Sequence, residues 1–275
     1  MHIALIITTY NRPDALAAVL EGCLTQTDAD FDVIVADDGS TPETADLIAL
    51  YQARLYQAHA AFVIKHVWQE DTGFRAAAIR NRALAATAAE YIIFSDGDCV
   101  PPPEFVSSHR RLAEHGWFLS GNRMMLTQAF TQQVLHHKLP IHLWHKREWL
   151  QAYRLGQVER LLPLLRLPNL NWLRKRLPKR WRGAKTCNLS AWRGDLLRVN
   201  GLDESYTGWG LEDSDLVIRL LRGGIYNKSA RFSVPVFHLW HRDNDRSSLE
   251  ENRQRLQQVL QATHIRATQG VDQYL

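Results

Sequence analysis

The sequence has three cysteines in 275 residues, Cys23, Cys99 and Cys187, widely spaced and with no CxxC pair. An odd, scattered set supports neither a disulfide framework nor a zinc site, and free thiols in a reducing cytoplasm are expected. Long apolar runs are also missing: none approaches the roughly 18 residues a membrane span needs. The opening MHIALIITTYNRP breaks at Asn11-Arg12-Pro13 and has no basic leader or small-residue cleavage site. It reads as a buried first strand and not as a signal peptide. Neither GxGxxG nor GxxxxGK[ST] occurs, which argues against a dinucleotide turn or a P-loop phosphate cradle. There is no internal repeat and no low-complexity tract.

What is present is 45% hydrophobic residues and an uneven charge. That content suffices for one large domain spanning 1–275. Between Lys138 and Arg182 lie twelve Lys and Arg against two acids, a net +10, so the remainder of this +4 chain carries −6. One basic segment in an otherwise acidic protein calls for an anionic partner.

The first 126 residues alternate between apolar runs and helical patterns. HIALIITT, FDVIVADD, AFVIKHVW and EYIIFSDGD read as strands, and WFLSGNRMML as a fifth. Helices are expected over 14–26, 43–58, 75–89 and 103–115. Near-continuous apolar strands separated by helices predict an α/β fold, Rossmann-like, with a mostly parallel central sheet covered by helices on both faces. Ligands in such sheets bind beyond the carboxyl ends of the strands. Polar clusters stand at three of those ends: Thr8-Thr9-Tyr10-Asn11, Asp37-Asp38-Gly39-Ser40 and Asp96-Gly97-Asp98. Residues 127–182 break the rhythm. They hold four of nine tryptophans, and Pro163, Pro168 and Pro178 divide them into short helical pieces. Beyond them, RFSVPVFHLWH reads as a strand and 246–263 as a helix.

Several clusters carry chemistry. Asp96-x-Asp98 at a strand end aims two carboxylates at one point, which suits Mg²⁺ or Mn²⁺ shared with a diphosphate; the plainer reading is an acidic turn. The ADDGS turn either caps the next helix through Ser40 or Thr41, with Glu43 or Thr44 nearby, or offers Asp38 as a carboxylate to a base or ribose. Arg75 opens the third helix within reach of a phosphate or base, while Arg80 and Arg82 are expected on a solvated basic face. His238 and His241 would point to opposite faces of one strand and converge only if the strand ends between them.

With these pieces together, the chain resembles a family 2 glycosyltransferase of the GT-A fold, in the branch whose C-terminal half has a galactosyltransferase-like Gly-Trp-Gly-x-Glu-Asp signature. The stretches that carry the resemblance are TTYNRP, ADDGST, FRAAAIRNRAL, FSDGD, CNLSAWRGDLLRVNGLDESYTGWGLEDSDLVIRL and HLWH, which follow the family order across residues 3–241. Residues 127–182 have no counterpart. The resemblance implies a UDP-sugar donor, a divalent metal and inversion at the anomeric carbon. It divides the domain into a nucleotide-sugar half (1–126), a basic helical insertion (127–182) and an acceptor-binding and catalytic half (183–275). It implies Thr9, Tyr10, Arg12, Asp38, Arg75 and Asp96 for the nucleotide. It implies Asp98, His241 and Asp96 for the metal, with His241 the better match than His238. Trp209, Gly210, Glu212 and Asn188 would meet sugar or acceptor, and Asp213 would be the general base.

Physical reasoning leads to the same base. A metal-bound carboxylate cannot easily accept the acceptor's proton, so a second acidic cluster is needed, and 212–215 supplies one. If 211–222 is helical, Asp213 lies in line with Leu216, Val217 and Leu220, while Asp215, and also Glu212, align with Arg219. The plainer reading is that all three acids favour a helix N-terminus. The two glycines are expected to let the backbone pass close to substrate.

The basic segment suits an acceptor-binding insertion, its tryptophans stacking on sugars and its cations holding anionic groups. It also suits contact with an anionic membrane leaflet. The expected partners are therefore a UDP-sugar and a glycan or glycolipid acceptor of surface-polysaccharide assembly such as lipopolysaccharide or capsule. The expected location is the cytoplasm, at the inner face of the membrane. A sugar nucleotidyltransferase is the enzyme alternative, although TTYNRP lacks its Gly-rich loop. A non-enzymatic nucleic-acid or membrane-binding protein is the other, but no helix-turn-helix, RNP or zinc pattern supports nucleic acid.

Overall fold

The computed structural model describes residues 1–166 and 170–275. Pro168, expected to break the insertion, lies outside the described residues. The N-terminal part alternates as its periodicity predicts: β1 (Ile3–Thr9), α1 (Pro13–Leu24), β2 (Phe31–Asp37), α2 (Pro42–Gln57), β3 (Ile64–Trp68), α3 (Ala76–Ala85) and β4 (Tyr91–Asp96). Then follow β5 (Cys99–Val100), α4 (Phe105–Leu112), β6 (Trp117–Ser120), β7 (Asn122–Met125), α5 (Gln128–His137), α6 (Lys146–Arg154) and α7 (Asn171–Arg174). The chain closes with β8 (Asn188–Trp192), α8 (Arg193–Arg198), α9 (Glu212–Arg222), β9 (Tyr226–Ser229), β10 (Pro235–His238) and α10 (Leu249–Gln261).

Seven strands form one sheet in the order β3-β2-β1-β4-β8-β6-β9, and β8 alone runs against the rest. Strand alternation splits β1 between two apolar layers. Ile3, Leu5 and Ile7 pack into a core with Leu16 and Leu20 of α1 and Ile48 of α2. Ala4 and Ile6 pack into another with Ile79 of α3 and Leu216 and Leu220 of α9. Helices therefore cover both faces, and each fully buried Ile or Leu contributes about 1.5–3 kcal/mol. Pro13 and Pro42 open α1 and α2, at a position where a missing N–H costs nothing.

Register places the site. Thr9 pairs with Asp37, and Thr8 with Asp96, so β1, β2 and β4 end along one edge. A second sheet, β5-β10-β7, sets His238 opposite Cys99 and so beside Asp98.

Two expectations need correction, and two strands were not expected. The fifth strand is two strands in different sheets, β6 and β7, broken at Gly121. A Cβ there would lie 2.3 Å from the Asn188 amide, so only glycine lets β8 pass. Strand β8 itself sits inside a stretch with no period-2 pattern long enough to mark it. Strand β9 is polar, YNKS, yet Asn227 and Lys228 are buried. They are satisfied by Ser120, Arg180 O, Leu112 O and Glu114. Hydrophobic periodicity cannot find such a strand. The insertion does hold short helices, α5 to α7. Its Trp149 is a core residue against Phe237, ring centroids 4.5 Å apart, and not a sugar platform.

Candidate active site

The strand ends are tied to one another before any ligand is considered. The backbone N–H of Asp38 donates to Thr9 O at 3.0 Å, and that of Gly97 to Thr8 O at 2.7 Å. Asn11 N–H donates to Ser40 Oγ, and Asn11 Oδ1 accepts from Thr41 N–H, both at 2.8 Å. Ser40 and Thr41 therefore work against the first strand end and not as side-chain caps of α2. Asp38 is buried, and burial pushes its carboxyl up. Its oxygens accept from Gln69 Nε2 at 2.5 Å and from the backbone N–H of Arg75 at 2.8 Å. Tyr10 is exposed and donates its hydroxyl to Asp71 at 2.8 Å. Arg12 pairs with Asp14 at 2.9 Å, and Arg75 reaches Glu70 O. Thr9 Oγ1 is buried with no partner.

Strand β10 ends at His238, so the two histidines converge after all. Asp98, His238 and His241 offer ligand atoms all within 4.8 Å of one another. Asp98 lies 3.4 Å from His241 Nε2 and 3.7 Å from His238 Nε2. His241 Nδ1 sits 2.7 Å from Arg242 O, an acceptor, so Nδ1 carries a proton and Nε2 is the ring nitrogen turned toward Asp98. Burial pushes His238 down to about 4, so its ring is neutral and a lone-pair donor. One carboxylate and two imidazole nitrogens fit a divalent ion, and the nitrogen content favours Mn²⁺ over Mg²⁺. Both histidines belong to this cluster, not His241 alone. Asp96 faces a different trio with Cys99 and Cys187, two thiols that are far apart in sequence and close in the fold. Burial holds the Cys99 thiol well above its usual range, so it is inert.

Arg80 joins the halves. Spacing suggested a solvated face for it, but it is 5% exposed. Its Nε donates to Thr8 Oγ1 at 2.9 Å, Nη2 to Asp96 at 3.1 Å and Nη1 to Glu212 at 3.0 Å. One guanidinium thus spans the end of β1, the end of β4 and the first turn of α9. No local pattern marks it, because its partners lie 16 to 132 residues away. Arg82 is exposed, over the Tyr274 ring at 4.7 Å.

Helix α9 sorts its acids. Leu216, Val217 and Leu220 are fully buried, as the apolar stripe predicts. Asp213 on that side has no cation bonded to it. Burial first, and the Glu212 carboxylate second, push it up to about 7, with Arg80 and Lys185 opposing. Asp215 pairs with Arg219 at 2.5 Å, and both are buried. Arg219 also donates to Val199 O and Gly201 O. The pair is structural and interior, not a surface bridge. Glu212, in line with Arg219 by spacing, turns to Arg80 instead.

The remaining expected contacts are placed as follows. Gly208 and Gly210 have φ of +69° and +109°, and a Cβ on Gly208 would lie 2.6 Å from Ser248 Oγ. The close approach these glycines permit is to Ser248 and Leu249 at the start of α10, not to open space. Gly208 N–H donates to Phe74 O, tying this loop to the one before α3. Trp209 has Arg246 over its ring at 5.1 Å. Asn188 is buried, its amide donating to Asn122 O and Val234 O. Within the basic segment, Arg174 is buried and bonded to Ser229 O and Arg231 O, and Lys175 pairs with Glu114. Neither is a free surface cation.

Comparison with known proteins agrees with this geometry. The model of Glycosyl transferase family 2 matches residues 4–196, and that described as the N-terminal domain of galactosyltransferase matches 173–241. Validoxylamine A glucosyltransferase of Streptomyces hygroscopicus subsp. jinggangensis is 32% identical over 230 residues, 81% of this chain and 52% of its own. Chondroitin synthase of Escherichia coli is 28% identical over 239 residues, 82% of this chain and 33% of its own. The chain thus spans about half the length of the first relative and a third of the second. Among solved structures, S. aureus TarS 1-349 covers the whole chain at a TM-score of 0.58 and 13% identity, over 68% of its own length. A mannosyltransferase of Pyrobaculum calidifontis, solved with GDP-Man and Mn²⁺, covers 94% of this chain at 0.60 and 16%, over 63% of its own. The shared fold is GT-A. The first family match covers β1 to β8 and the strand-end acids, the second covers α9 and both histidines, and the chain belongs to glycosyltransferase family 2.

Proposed function

We propose that the protein is an inverting, metal-dependent transferase that moves a hexose or N-acetylhexosamine from a UDP-sugar to a hydroxyl of a glycan or glycolipid. The observation that carries this reading is the reach of Arg80 from Asp96 to Glu212, beside an Asp213 held near neutrality. That link brings the first turn of α9 to the strand-end carboxylates and supports a base near the donor, as a single displacement requires. A nucleotide-sugar donor is in keeping with two structures of the same fold, TarS solved with UDP-GlcNAc and the mannosyltransferase with GDP-Man and Mn²⁺.

In this reading Asp38 and Arg75 hold the base and nucleotide, with Thr9, Tyr10 and Arg12 lining the same end. Asp98, His238 and His241 hold the metal, and Asp96 stands beside them toward the ribose. A bound divalent cation would supply charge stabilisation for the departing diphosphate. Asp213 takes the proton of the acceptor hydroxyl as its oxygen forms the new bond to the anomeric carbon. The bond from that carbon to the diphosphate oxygen breaks on the opposite side, and UDP leaves with the electron pair. Glu212, fixed by Arg80, orients a sugar hydroxyl, and Trp209 and Gly210 border the acceptor. Asn188 supports the site from below by holding β7 against β8.

The pathway reading is surface-polysaccharide assembly, with the enzyme in the cytoplasm against the inner membrane face. No helix among the described residues is long and apolar enough to cross a membrane. Trp172 is 68% exposed, and Leu170 and Leu177 beside it are also exposed, which favours peripheral contact.

The test is UDP release from UDP-glucose, UDP-galactose and their N-acetyl forms with Mn²⁺. Metal-dependent release that disappears in Asp98→Asn is the expected result. Pyrophosphate-dependent exchange with UTP in place of release would favour a nucleotidyltransferase.

A further inference from the structure

Strands β6 and β9, with residues 173–183, border a half-open cavity of about 370 Å³ at the far edge of the main sheet. Arg174, Arg176, Arg180, Arg182 and Arg231 line it, and no acidic residue does. Arg174 is anchored: its Nη groups donate to Ser229 O, Arg231 O and Ser233 Oγ, while its buried Nε has no partner. A Cβ on Gly183 would lie 3.8 Å from Arg231 Nη2 and 4.0 Å from Arg180 Nη2, so two guanidinium groups flank one point. Among the described residues, Arg176, Arg180, Arg182 and Arg231 have no carboxylate partner, whereas neighbouring Lys175 and Lys228 share Glu114. Like charges gathered without counter-charge repel unless an anion joins them.

The cavity shares a wall with a second one. Gly183 and Arg231 also line a second cavity of about 510 Å³, together with Arg123, Lys185 and Asn188. Arg123 acts electrostatically on Asp96 and Asp98, and Lys185 on Asp213 and His238. Arg123 and Lys185 are thus near enough to the site's charged groups to act on them, and the cavity they line, with Glu159 its one acid, shares Gly183 and Arg231 with the arginine cavity.

We propose that the arginine cavity binds a phosphoryl or diphosphoryl group of the acceptor and so holds its hydroxyl at Asp213. This rests on the transferase reading and adds the acceptor's chemical class to it. Guanidinium forks match phosphate oxygens in paired hydrogen bonds. Guanidinium groups converging on one point of a recess suit a compact anion better than the plane of a bilayer.

The test titrates the full chain with inorganic pyrophosphate in chelator, by calorimetry, beside the variant Arg176→Ser/Arg180→Ser/Arg182→Ser. These three side chains contribute nothing to the donor end, so metal-dependent UDP release to water is expected to be unchanged and reports a folded enzyme. Pyrophosphate affinity is expected to fall at least tenfold in the variant, and to fall with added salt in the parent. Equal affinity in the two proteins, or no binding to the parent, overturns the proposal. So does a variant that loses phosphatidylglycerol vesicles but keeps pyrophosphate, which would make the arginines a bilayer contact. UDP release absent from both proteins refutes the transferase reading, while the calorimetry still decides the cavity.

Discussion

Asp213 and Asp215 are two residues apart on one helix turn, Asp215 fully buried and Asp213 half-buried. Asp215 faces Arg219 at 2.5 Å and has a cation of its own. Asp213 has only Glu212 as its nearest charged neighbour on the helix, and Arg80 is committed to Glu212 and Asp96. Burial raises both carboxyls. What differs is neutralisation. A dedicated cation makes one acid a structural bolt, while its absence leaves the other able to take up and release a proton near pH 7. In the proposed mechanism, placing a reactive acid next to a satisfied one lets a single helix supply both rigidity and chemistry.

The largest expected effect breaks the satisfied side. Arg219→Met leaves Asp215 buried and unpaired, and removes the cross-links to Val199 O and Gly201 O. Denaturant unfolding is expected to show a loss of about 3–5 kcal/mol, the cost typical of orphaning one partner of a buried pair. The protein that remains folded should release UDP at near the parent rate.

On the reactive side the outcome reverses. Asp213→Asn is expected to keep UDP-sugar affinity in calorimetry and to lose at least ~100-fold in turnover, or about 2.7 kcal/mol of barrier. The same variant should gain stability at alkaline pH. The folded carboxyl, raised to about 7, keeps a proton that the unfolded chain, near 3.8, has already released. Parent stability therefore falls as pH rises from about 4 to 7 and stays lowered above that. Thermal melts should show the variant more stable than the parent at pH 8 and equal to it below pH 4.

A smaller effect sharpens the contrast. Arg80 lowers the proton affinity of Asp213 without bonding it. Removing that cation in Arg80→Met should move the acidic limb of the UDP-release profile to higher pH. An unmoved limb would show that Arg80 only braces Asp96 and Glu212.

Much of this was readable in the chain. The parallel half of the sheet and the polar strand ends follow from continuous apolar runs ending in Thr, Asp and Asn. The apolar stripe of α9 placed Asp213 inward and Asp215 beside Arg219. What was not readable depends on distant contacts. Arg80 has the sequence surroundings of a solvated residue and is defined by Glu212, 132 positions away. Strand β9 has no apolar signature because Asn227 and Lys228 find buried partners. Arg174 sits in a basic run but is spent on backbone carbonyls, so counting charges overstated the free surface of the insertion. The convergence of His238 and His241 turned on where one strand stops, a boundary that periodicity fixes only to within a few residues.

The central claim is that Asp213 is the base and works from a raised proton affinity. Single-turnover UDP release, measured from pH 5 to 9 at saturating donor and metal, tests it most directly. The rate is predicted to rise about tenfold per pH unit on the acidic side and to level off above about 7, with that limb absent from Asp213→Asn. A flat profile, or a limb that persists unchanged in the variant, would contradict it.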